Sequence, residues 1–337
     1  MSLVATILSP LRPVVTTFLA PSSICSVWSL GAALLLALGW LALRRKLRGR
    51  PLRLRVLARA LLSRRVLAHR STHADLVYCV ASLTTFGAIL GSAVVSSSWI
   101  GEGVASFLTA HFGERTPHAP AVGLDAARTL ALFLAYDLGF FVDHTLKHRI
   151  PALWELHKTH HSAEVLTPLV NFRVHPLDSL ILANNLALFI GVIGGAATWA
   201  LGRQAESFLL FDDNALMVLY IFLTAQLQHT EIWIPFTGVL GRLFMSPAHH
   251  QLHHSADAAH FNCNMGASLA LWDWLSGSLR LPPAQRPRLS YGASGFDNDP
   301  HGPLGLVVEP ATKFFRVLAR PLARGEGEDR GEAAGKG

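Results

Sequence analysis

The chain has 337 residues, of which 51% are hydrophobic and 15% are charged, and its mean hydropathy is +0.35. Soluble domains carry about 25% charged residues, so this composition argues against an ordinary soluble protein and predicts a membrane protein. The net charge of +7 would suit nucleic acid, but ten of the 29 basic residues lie in one block, residues 44–65. Because a basic block beside an apolar segment is typical of contact with anionic lipid headgroups, we predict no nucleic-acid partner.

Five apolar segments follow one another along the chain. The first, residues 24–43, is uncharged over twenty residues, which at about 1.5 Å per residue crosses a hydrocarbon core of about 30 Å. Its basic residues come after the apolar run, which indicates an uncleaved anchor rather than a signal peptide. The other segments are residues 76–101, 124–142, 179–202 and a shorter one at 214–228. The sequence therefore predicts an all-α integral membrane protein with about four to five transmembrane helices.

The basic block also predicts the orientation of these helices. Lys and Arg in short loops stay in the cytoplasm, so the first span enters the cytoplasm and the second leaves it. Continuing the count places His144, His175 and His229 at the cytoplasmic ends of the third, fourth and fifth spans. Twelve of the 17 histidines lie between His144 and His260, and the same count places all twelve at one face. We therefore expect a histidine-rich metal-binding cap, and with it the active site, on the cytoplasmic face.

Most of these histidines form three clusters. His144 and His148 are four residues apart, which stacks both rings on one face of a helix. The second cluster is His157, His160 and His161, the third is His249, His250, His253 and His254, and His175, His229 and His260 stand alone. One histidine at a membrane interface usually has no role beyond its amphipathic side chain. Nine or more at one face need something that holds the rings neutral and oriented, and metal coordination does so.

The number of histidines indicates how many metals to expect. One structural zinc takes four ligands and one catalytic zinc takes three, so nine to twelve imidazoles favour two metals with open positions. Imidazole binds iron, zinc, copper and nickel alike, so the residue type leaves the metal undecided. A zinc metalloprotease would need His-Glu-x-x-His, but Thr145 occupies the glutamate position of the first cluster, so the general base is missing.

The order His-x-x-x-His, His-x-x-His-His, His-x-x-His-His resembles the fatty acid hydroxylase and sterol desaturase superfamily of membrane histidine-box di-iron oxygenases. Residues 135–279 carry the likeness, including LWELHKTHHS around the second cluster and HFNCNMGASLALWDWLSGSL after the third. The chain departs from the family pattern at Phe141, Thr145, Met265 and Trp274. None of these departures removes a histidine, so they affect the expected substrate shape rather than the expected metal site.

The resemblance implies the ligands and the chemistry. It carries over as ligands of a di-iron centre His144, His148, His157, His160, His161, His250, His253 and His254, with His229 as a ninth. His249 and His175 are weaker candidates, each with the alternative role of donating a hydrogen bond to a ligand. With two iron ions and O₂ as co-substrate, such an enzyme hydroxylates or desaturates a lipid that enters from the bilayer. Zinc stays open as the metal of the purified protein.

The chain is expected to divide into three regions. Residues 1–123 are an N-terminal membrane anchor region with two transmembrane helices and the basic cytoplasmic loop. Residues 124–281 are a fatty acid hydroxylase/sterol desaturase-like catalytic domain. Residues 282–337 are a C-terminal tail that is partly disordered, because its last fifteen residues have no apolar side chain larger than alanine.

Acidic residues near the clusters receive individual predictions. Asp137 lies inside an apolar segment, where a charge costs about 2.5–3.5 kcal/mol, so it is expected to have a partner. Its position before His144 suggests that it orients a ligand imidazole through the free ring N–H. Asp143, Asp178 and Glu164 are expected to be solvated at the interface, and Asp273 is expected to help fix the third cluster.

Two other function classes stay open beside the lipid oxygenase. A di-zinc membrane hydrolase would need neither O₂ nor a reductant, and a metal transporter or sensor would need polar residues along a path through the membrane. The sequence has no flavin or nicotinamide fingerprint and no cysteine set for an iron–sulfur cluster. An oxygenase would therefore need a separate electron donor, such as a cytochrome b5-like protein, a ferredoxin or a reductase. The sequence does not distinguish sterol, fatty acyl and related substrates, or hydroxylation from desaturation.

Overall fold

The computed structural model describes residues 12–24, 26–61, 63–86, 93–115, 121–202 and 206–319. The helices in these residues are α1 (Arg12–Leu19), α2 (Val27–Leu47), α3 (Leu54–Leu61), α4 (Arg64–Leu67), α5 (Arg70–Ala81), α6 (Ser97–Phe112), α7 (Val122–Arg149), α8 (Pro151–His161), α9 (Pro176–Leu201), α10 (Ala215–Tyr220), α11 (Gln226–Gln228), α12 (Gly238–Leu243), α13 (Pro247–His253), α14 (Leu271–Ser276) and α15 (Glu309–Leu318). Strands β1 (Leu209–Leu210) and β2 (Asp213–Asn214) form a short antiparallel hairpin in which Leu209 pairs with Asn214. The predicted helical fold class is confirmed.

Three of these helices, α2, α7 and α9, are long and apolar enough to cross a membrane. They correspond to the first, third and fourth predicted spans. The fifth corresponds to a shorter apolar stretch, Ala215–Gln228, which a π-helical turn at Ile221–Ala225 divides into α10 and α11. In α2, the Ser26 hydroxyl accepts a hydrogen bond from the backbone N–H of Ser29 at 3.0 Å and so caps the helix.

The prediction of one continuous span over residues 76–101 is wrong. Helix α5 ends at Ala81 and continues into a π-helical turn, Ser82–Phe86, and a separate helix, α6, begins at Ser97. The Ser96 hydroxyl accepts from the backbone N–H of Trp99 at 3.3 Å, which caps α6 at its N-terminus. Ser96 begins a run of three serines, and serine favours a helix cap over the helix interior because its hydroxyl competes for backbone N–H groups.

Helices α6 and α9 lie unusually close together because glycines face each other across their contact. A Cβ added at Gly195 would lie 2.4 Å from the carbonyl oxygen of Gly101, and one at Gly191 would lie 2.6 Å from the Cβ of Ile100. Gly191 and Gly195 are four residues apart, which is the spacing of small residues at close helix contacts in membranes. The contact fixes α9, which in turn packs along α7.

A buried ion pair joins three distant segments behind the histidine helices. Arg173 is fully buried and contacts Asp75 of α5 at 2.6 Å. The same guanidinium donates to the Ser162 hydroxyl at 3.0 Å, just after α8, and to the carbonyl oxygen of Pro300 at 2.7 Å. Neither residue of the pair stands out in the sequence, because an isolated Arg in a loop gives no signal of burial.

The described part of the C-terminal region is folded against α8. Helix α15 packs on α8, and Lys158 of α8 donates to the carbonyl oxygen of Gly295 at 2.9 Å. The segment expected to be disordered, residues 323–337, lies outside the described residues.

The helix ends carry the histidines to one place. His144 and His148 lie in the last two turns of α7, and α8 starts directly afterwards at Pro151, a residue suited to the first helical position. His175 immediately precedes α9. The ends of two apolar spans and the whole of α8 therefore meet on one side of the molecule.

Replacing Gly195 with Ala should destabilise the α6–α9 contact. The added Cβ would overlap the backbone of Gly101, and overpacking of this kind costs about 1–3 kcal/mol in the free energy of unfolding. Gly103→Ala on the same helix pair is the matched control, because nothing lies within 4 Å of the added Cβ. Thermal unfolding in detergent should show a lower midpoint for Gly195→Ala only; equal midpoints for the two variants would contradict the packing argument.

Arg173→Met should be far more disruptive than a surface substitution. It leaves the Asp75 carboxylate buried without its partner, a change that typically costs about 3–5 kcal/mol. The double variant Arg173→Met, Asp75→Leu removes both charges and should recover part of the loss. Chemical unfolding of the two variants tests this, and a double variant less stable than the single one would show that the pair itself is not the cause.

Candidate metal centre

The third histidine cluster lies on α13, whose start is fixed by its own residues. The Ser246 hydroxyl accepts from the backbone N–H of His249, and the His249 ring nitrogen Nδ1 accepts from the backbone N–H of Ser246 at 3.1 Å. This reciprocal pair is a capping box in which histidine takes the place of glutamate. His249 is thus held at the helix start, whereas His250 and His253 turn toward the histidines of α7 and α8.

Nine histidines come together as two adjacent groups, and all of them except the partly buried His148 are buried. The first, which we call the five-histidine group, contains His144, His148, His157, His161 and His253. The second, the four-histidine group, contains His160, His229, His250 and His254. Within each group the nitrogens that could bind an ion lie within 4.8 Å of one another. These nine are the residues for which the resemblance implied metal ligation.

In the five-histidine group, three rings are fixed by a hydrogen bond at Nδ1. The partners are the carbonyl oxygen of Met265 for His144 at 2.8 Å, a carboxylate oxygen of Asp178 for His157 at 2.9 Å, and the carbonyl oxygen of Cys263 for His253 at 2.8 Å. Because a carbonyl or carboxylate oxygen only accepts, each Nδ1 carries a proton, and in the neutral form of the ring the Nε2 lone pair is free to bind a metal. These three Nε2 atoms are buried and have no hydrogen-bond partner among the described residues.

In the four-histidine group, the Nε2 atoms converge on one another. The Nε2 of His229 lies 3.2 Å from that of His160, 3.1 Å from that of His254 and 3.0 Å from that of His250. A ring nitrogen can donate only one proton, so hydrogen bonds cannot satisfy three such contacts. Four ligands at about 2.0–2.1 Å from one ion would be about 3.3 Å apart. The separations in this group and the orphaned Nε2 atoms of the five-histidine group therefore fit metal ligation.

The two weaker ligand candidates lie outside both groups. His175 caps α9 by accepting from the backbone N–H of Leu177 at Nδ1, and its Nε2 donates to the carbonyl oxygen of Val307 at 3.0 Å. Both of its ring nitrogens are therefore engaged. His249 serves the capping box of α13. His260 makes a local contact at 3.0 Å with the Ser255 hydroxyl.

Asp137 holds the loop after the third cluster rather than an imidazole. Its carboxylate accepts from the backbone N–H groups of Ser268 and Leu269 at 2.9 and 3.2 Å and from the indole N–H of Trp272 at 2.7 Å. No histidine ring is among its hydrogen-bond partners in the described residues. The expected partner thus exists, but Asp137 reaches His144 only through this loop, whose Met265 carbonyl accepts the His144 proton.

Asp273 and Asn264 complete the same loop. Asp273 accepts from the backbone N–H groups of Met265 and Gly266, both at 2.8 Å, as expected for a residue that helps fix the third cluster. Asn264 is fully buried at a positive φ of 56°, a conformation that asparagine tolerates better than most residues. Its side-chain amide donates to the carbonyl oxygen of His249 at 3.1 Å. Sequence reasoning missed this role of Asn264, although it lies in the segment that carries the resemblance.

The expectation that Asp143 and Asp178 are solvated is wrong. Both are buried, and both form ion pairs with Lys147, which is itself buried. Asp178 also accepts from His157, as described above. The i, i+4 spacing of Asp143 and Lys147 was visible in the sequence, but the approach of Asp178 depends on how α7 packs against α9. Glu164 is partly exposed and pairs with His301 at 3.3 Å.

Burial keeps six of these histidines uncharged. Desolvation lowers the pKa of His229 and of His253 to about 3, and it lowers the pKa of His160, His161, His250 and His254 well below the usual value of 6.5. Neighbouring imidazoles add to the effect because a second positive charge nearby is unfavourable. The rings are thus neutral at physiological pH, the form in which imidazole binds metal.

Two cavities lie near the histidines. One of about 410 Å³ reaches both groups, and its lining includes His148, His161, His253 and His254 together with Trp154, Phe261 and Asn262. The other, of about 690 Å³, is an apolar groove between α2, α7 and α10, where Trp40, Phe133 and Leu223 are among its lining residues. No histidine lines the second cavity.

The fold and the site together define a helical membrane protein that could hold two metal ions at the ends of its spans. Residues 129–278 match the family model for fatty acid hydroxylase. This match contains all nine histidines of the two groups and covers less than half of the chain, so this segment is similar to the fatty acid hydroxylase family. The resemblance found in the sequence is confirmed.

Three similar proteins cover the same part of the chain. Human alkylglycerol monooxygenase is 28% identical over 163 residues, which are 48% of this chain and 32% of that protein. A Delta(7)-sterol 5(6)-desaturase of Aspergillus fumigatus is 29% identical over 163 residues, or 46% and 50% of the two chains. Human cholesterol 25-hydroxylase is 29% identical over 169 residues, or 49% and 56%. The chain thus spans about a third to just over half of the length of these relatives, and no solved structure matches it.

The stability of the metal-free protein should fall as the pH is lowered below about 6.5. His229 and His253 have folded-state pKa values of about 3, so between these values and 6.5 the unfolded chain binds protons that the folded chain does not. Each such histidine should cost about 1.4 kcal/mol per pH unit in this window and nothing above it. Thermal unfolding of the chelator-treated protein at pH 7.5 and 5.5 measures the slope. His229→Gln should reduce that slope, and an unchanged midpoint in wild type would contradict the neutral burial of these rings.

Proposed function

We propose that this chain is an O₂-dependent membrane oxidoreductase that hydroxylates or desaturates a lipid, with two iron ions bound by the nine histidines. The observation that carries the proposal is the pair of adjacent, buried histidine groups within a segment of the fatty acid hydroxylase family. Within each group, ring nitrogens lie close together, and hydrogen bonds among them cannot satisfy all of their lone pairs. Metal ions could bind these inward-facing lone pairs.

The names of the relatives support lipid oxidation as the reaction class. They are a monooxygenase, a desaturase and a hydroxylase, and their names refer to an alkylglycerol, a sterol and cholesterol. A sterol, fatty acyl or related lipid is therefore the proposed substrate class.

Different residues of the chain would have different roles in this reaction. Two bound ferrous ions would supply O₂ activation and cleavage of an unactivated C–H bond. The histidines would bind these ions, and the hydrogen bonds that His144, His157 and His253 donate to the oxygens of Met265, Asp178 and Cys263 would orient these three rings. Burial of the site excludes bulk water from the reacting groups.

The cavity of about 410 Å³ is the proposed position of the reacting carbon. It is lined by His148, His161 and His253 of the five-histidine group and by His254 of the four-histidine group, so a C–H bond placed there would lie beside residues that would hold each ion. Trp154 and Phe261 offer apolar contacts, whereas Ser255, Asn262 and Ser294 offer hydrogen bonds to a polar end of the substrate. This mixed lining suits an amphipathic lipid.

We place the site on the cytoplasmic face of the membrane. The basic residues at the end of α2 predict that this end is cytoplasmic. The indole N–H of Trp40 near that end donates to the carbonyl oxygen of Trp233 at 2.9 Å, four residues after His229 in the sequence. This contact supports a common side for the basic block and the histidines. Electrons would come from a separate donor, such as a cytochrome b5-like protein, a ferredoxin or a reductase.

Elemental analysis of detergent-purified protein, expressed with iron in excess, tests the proposal. Wild type should contain about two irons per chain, and the His160→Ala, His161→Ala double variant should lose most of them because it removes one ligand from each group. The matched control is the double variant His73→Ala, His111→Ala, in which two exposed histidines are removed. His175→Gln should also keep its iron, since neither ring nitrogen of His175 faces the groups.

The iron-loaded protein should then oxidise a lipid in the presence of O₂ and a reductant, as measured by mass spectrometry of a lipid panel. The double variant should form no product. Two zinc ions that persist under iron-replete expression would favour the di-zinc hydrolase instead. No bound metal in wild type would overturn the proposed function.

A further inference from the structure

The two histidine groups differ in what holds the outer side of their rings. In the five-histidine group, His144, His157 and His253 each donate from Nδ1 to an oxygen atom. In the four-histidine group, the Nδ1 atoms of all four rings are buried and have no hydrogen-bond partner among the described residues. Once Nε2 binds a metal, Nδ1 must carry the proton, and a buried N–H without an acceptor destabilises that state.

The charged residues around the two groups also favour tighter metal binding in the five-histidine group. Asp178 accepts from His157 and pairs with Lys147, and Lys147 also pairs with Asp143 at 2.5 Å. With all three groups ionised, this buried cluster has one net negative charge directly behind a ring of the five-histidine group. A carboxylate on the outer N–H makes an imidazole a stronger donor to a metal, and the net charge attracts a cation. No carboxylate accepts a hydrogen bond from the four-histidine group among the described residues.

We propose that the two metal positions are unequal: the five-histidine group binds its ion tightly, with Asp178 as its positioning residue, and the four-histidine group holds an exchangeable ion. This inference rests on the proposed function only in requiring that both groups bind metal. Loss of one outer hydrogen-bonding partner typically weakens metal binding about 10- to 100-fold. Three rings of the five-histidine group have such a partner, and no ring of the four-histidine group has one among the described residues. We therefore expect the two groups to differ in iron affinity by at least about tenfold.

A metal-release titration on the full chain tests the inequality. The purified protein is loaded with Fe²⁺ under anaerobic conditions and dialysed against chelator-buffered solutions of decreasing free Fe²⁺, and iron per chain is measured by elemental analysis. Wild type should lose its iron in two steps of about one ion each, separated by at least about tenfold in free Fe²⁺. His250→Ala should remove the weaker step and retain the tighter ion.

Asp178→Asn identifies the positioning residue. Asparagine keeps an oxygen that accepts from His157 and removes the charge, and Lys147 keeps Asp143 as its partner. The tighter step should move about 10- to 100-fold toward weaker binding while the weaker step stays in place. Asp212→Asn is the matched control, because Asp212 is exposed in the β1–β2 turn and its positive φ of 65° suits asparagine. Circular dichroism verifies that each variant is folded.

The outcomes separate this inference from the proposed function. Release of both ions from wild type in a single step would overturn the inequality and leave the di-metal proposal standing. A parallel shift of both steps in Asp178→Asn would show that Asp178 supports the fold alone, which overturns its assigned role. Wild type that binds no iron at all would overturn the proposed function, and the inference with it.

Discussion

A buried polar atom without a hydrogen-bond partner costs about 1–3 kcal/mol, and this protein gathers nine imidazoles in one small buried volume. The rest of the site can be understood as a response to that cost. Burial keeps the rings neutral, which avoids the much larger cost of buried positive charges. Hydrogen bonds at Nδ1 then decide, for three of the rings, which nitrogen carries the proton. What is left is a set of inward lone pairs that bound metal ions could satisfy.

The scaffold supplies rigidity where the histidines need it. The rings come from α7, α8, α13 and the segment after α11, so four separate pieces of backbone must keep fixed positions. Glycines let α6 approach α9, Arg173 joins the end of α8 to α5 and to the C-terminal region, and Asp137 and Asp273 hold the loop that follows the third cluster. All of these contacts lie away from the ring nitrogens that face the centre of the two histidine groups. Positions of ligand atoms are thus set by packing around the site rather than by the clusters themselves.

The location of the site at the ends of the spans suits a reaction on a lipid. The apolar groove between α2, α7 and α10 opens among helices that are compatible with a membrane. The cavity beside the histidines has a mixed lining. One lining is apolar and the other is mixed, which is the combination that the proposed amphipathic substrate would need.

The sequence by itself determined the helical class, the three helices that are long and apolar enough to cross a membrane, the resemblance to the fatty acid hydroxylase family and the nine histidines that gather. Long uncharged runs and the spacing of histidines on helices are local patterns, and local patterns persist in the folded protein. The tertiary structure alone decided the division of the histidines into a group of five and a group of four, and the contacts of Asp137, Asp178 and Arg173. Those features depend on which residues meet across distances of about a hundred positions in the chain, as Arg173 meets Asp75. Such contacts cannot be predicted from a single sequence, because they depend on packing between helices and not on neighbouring residues.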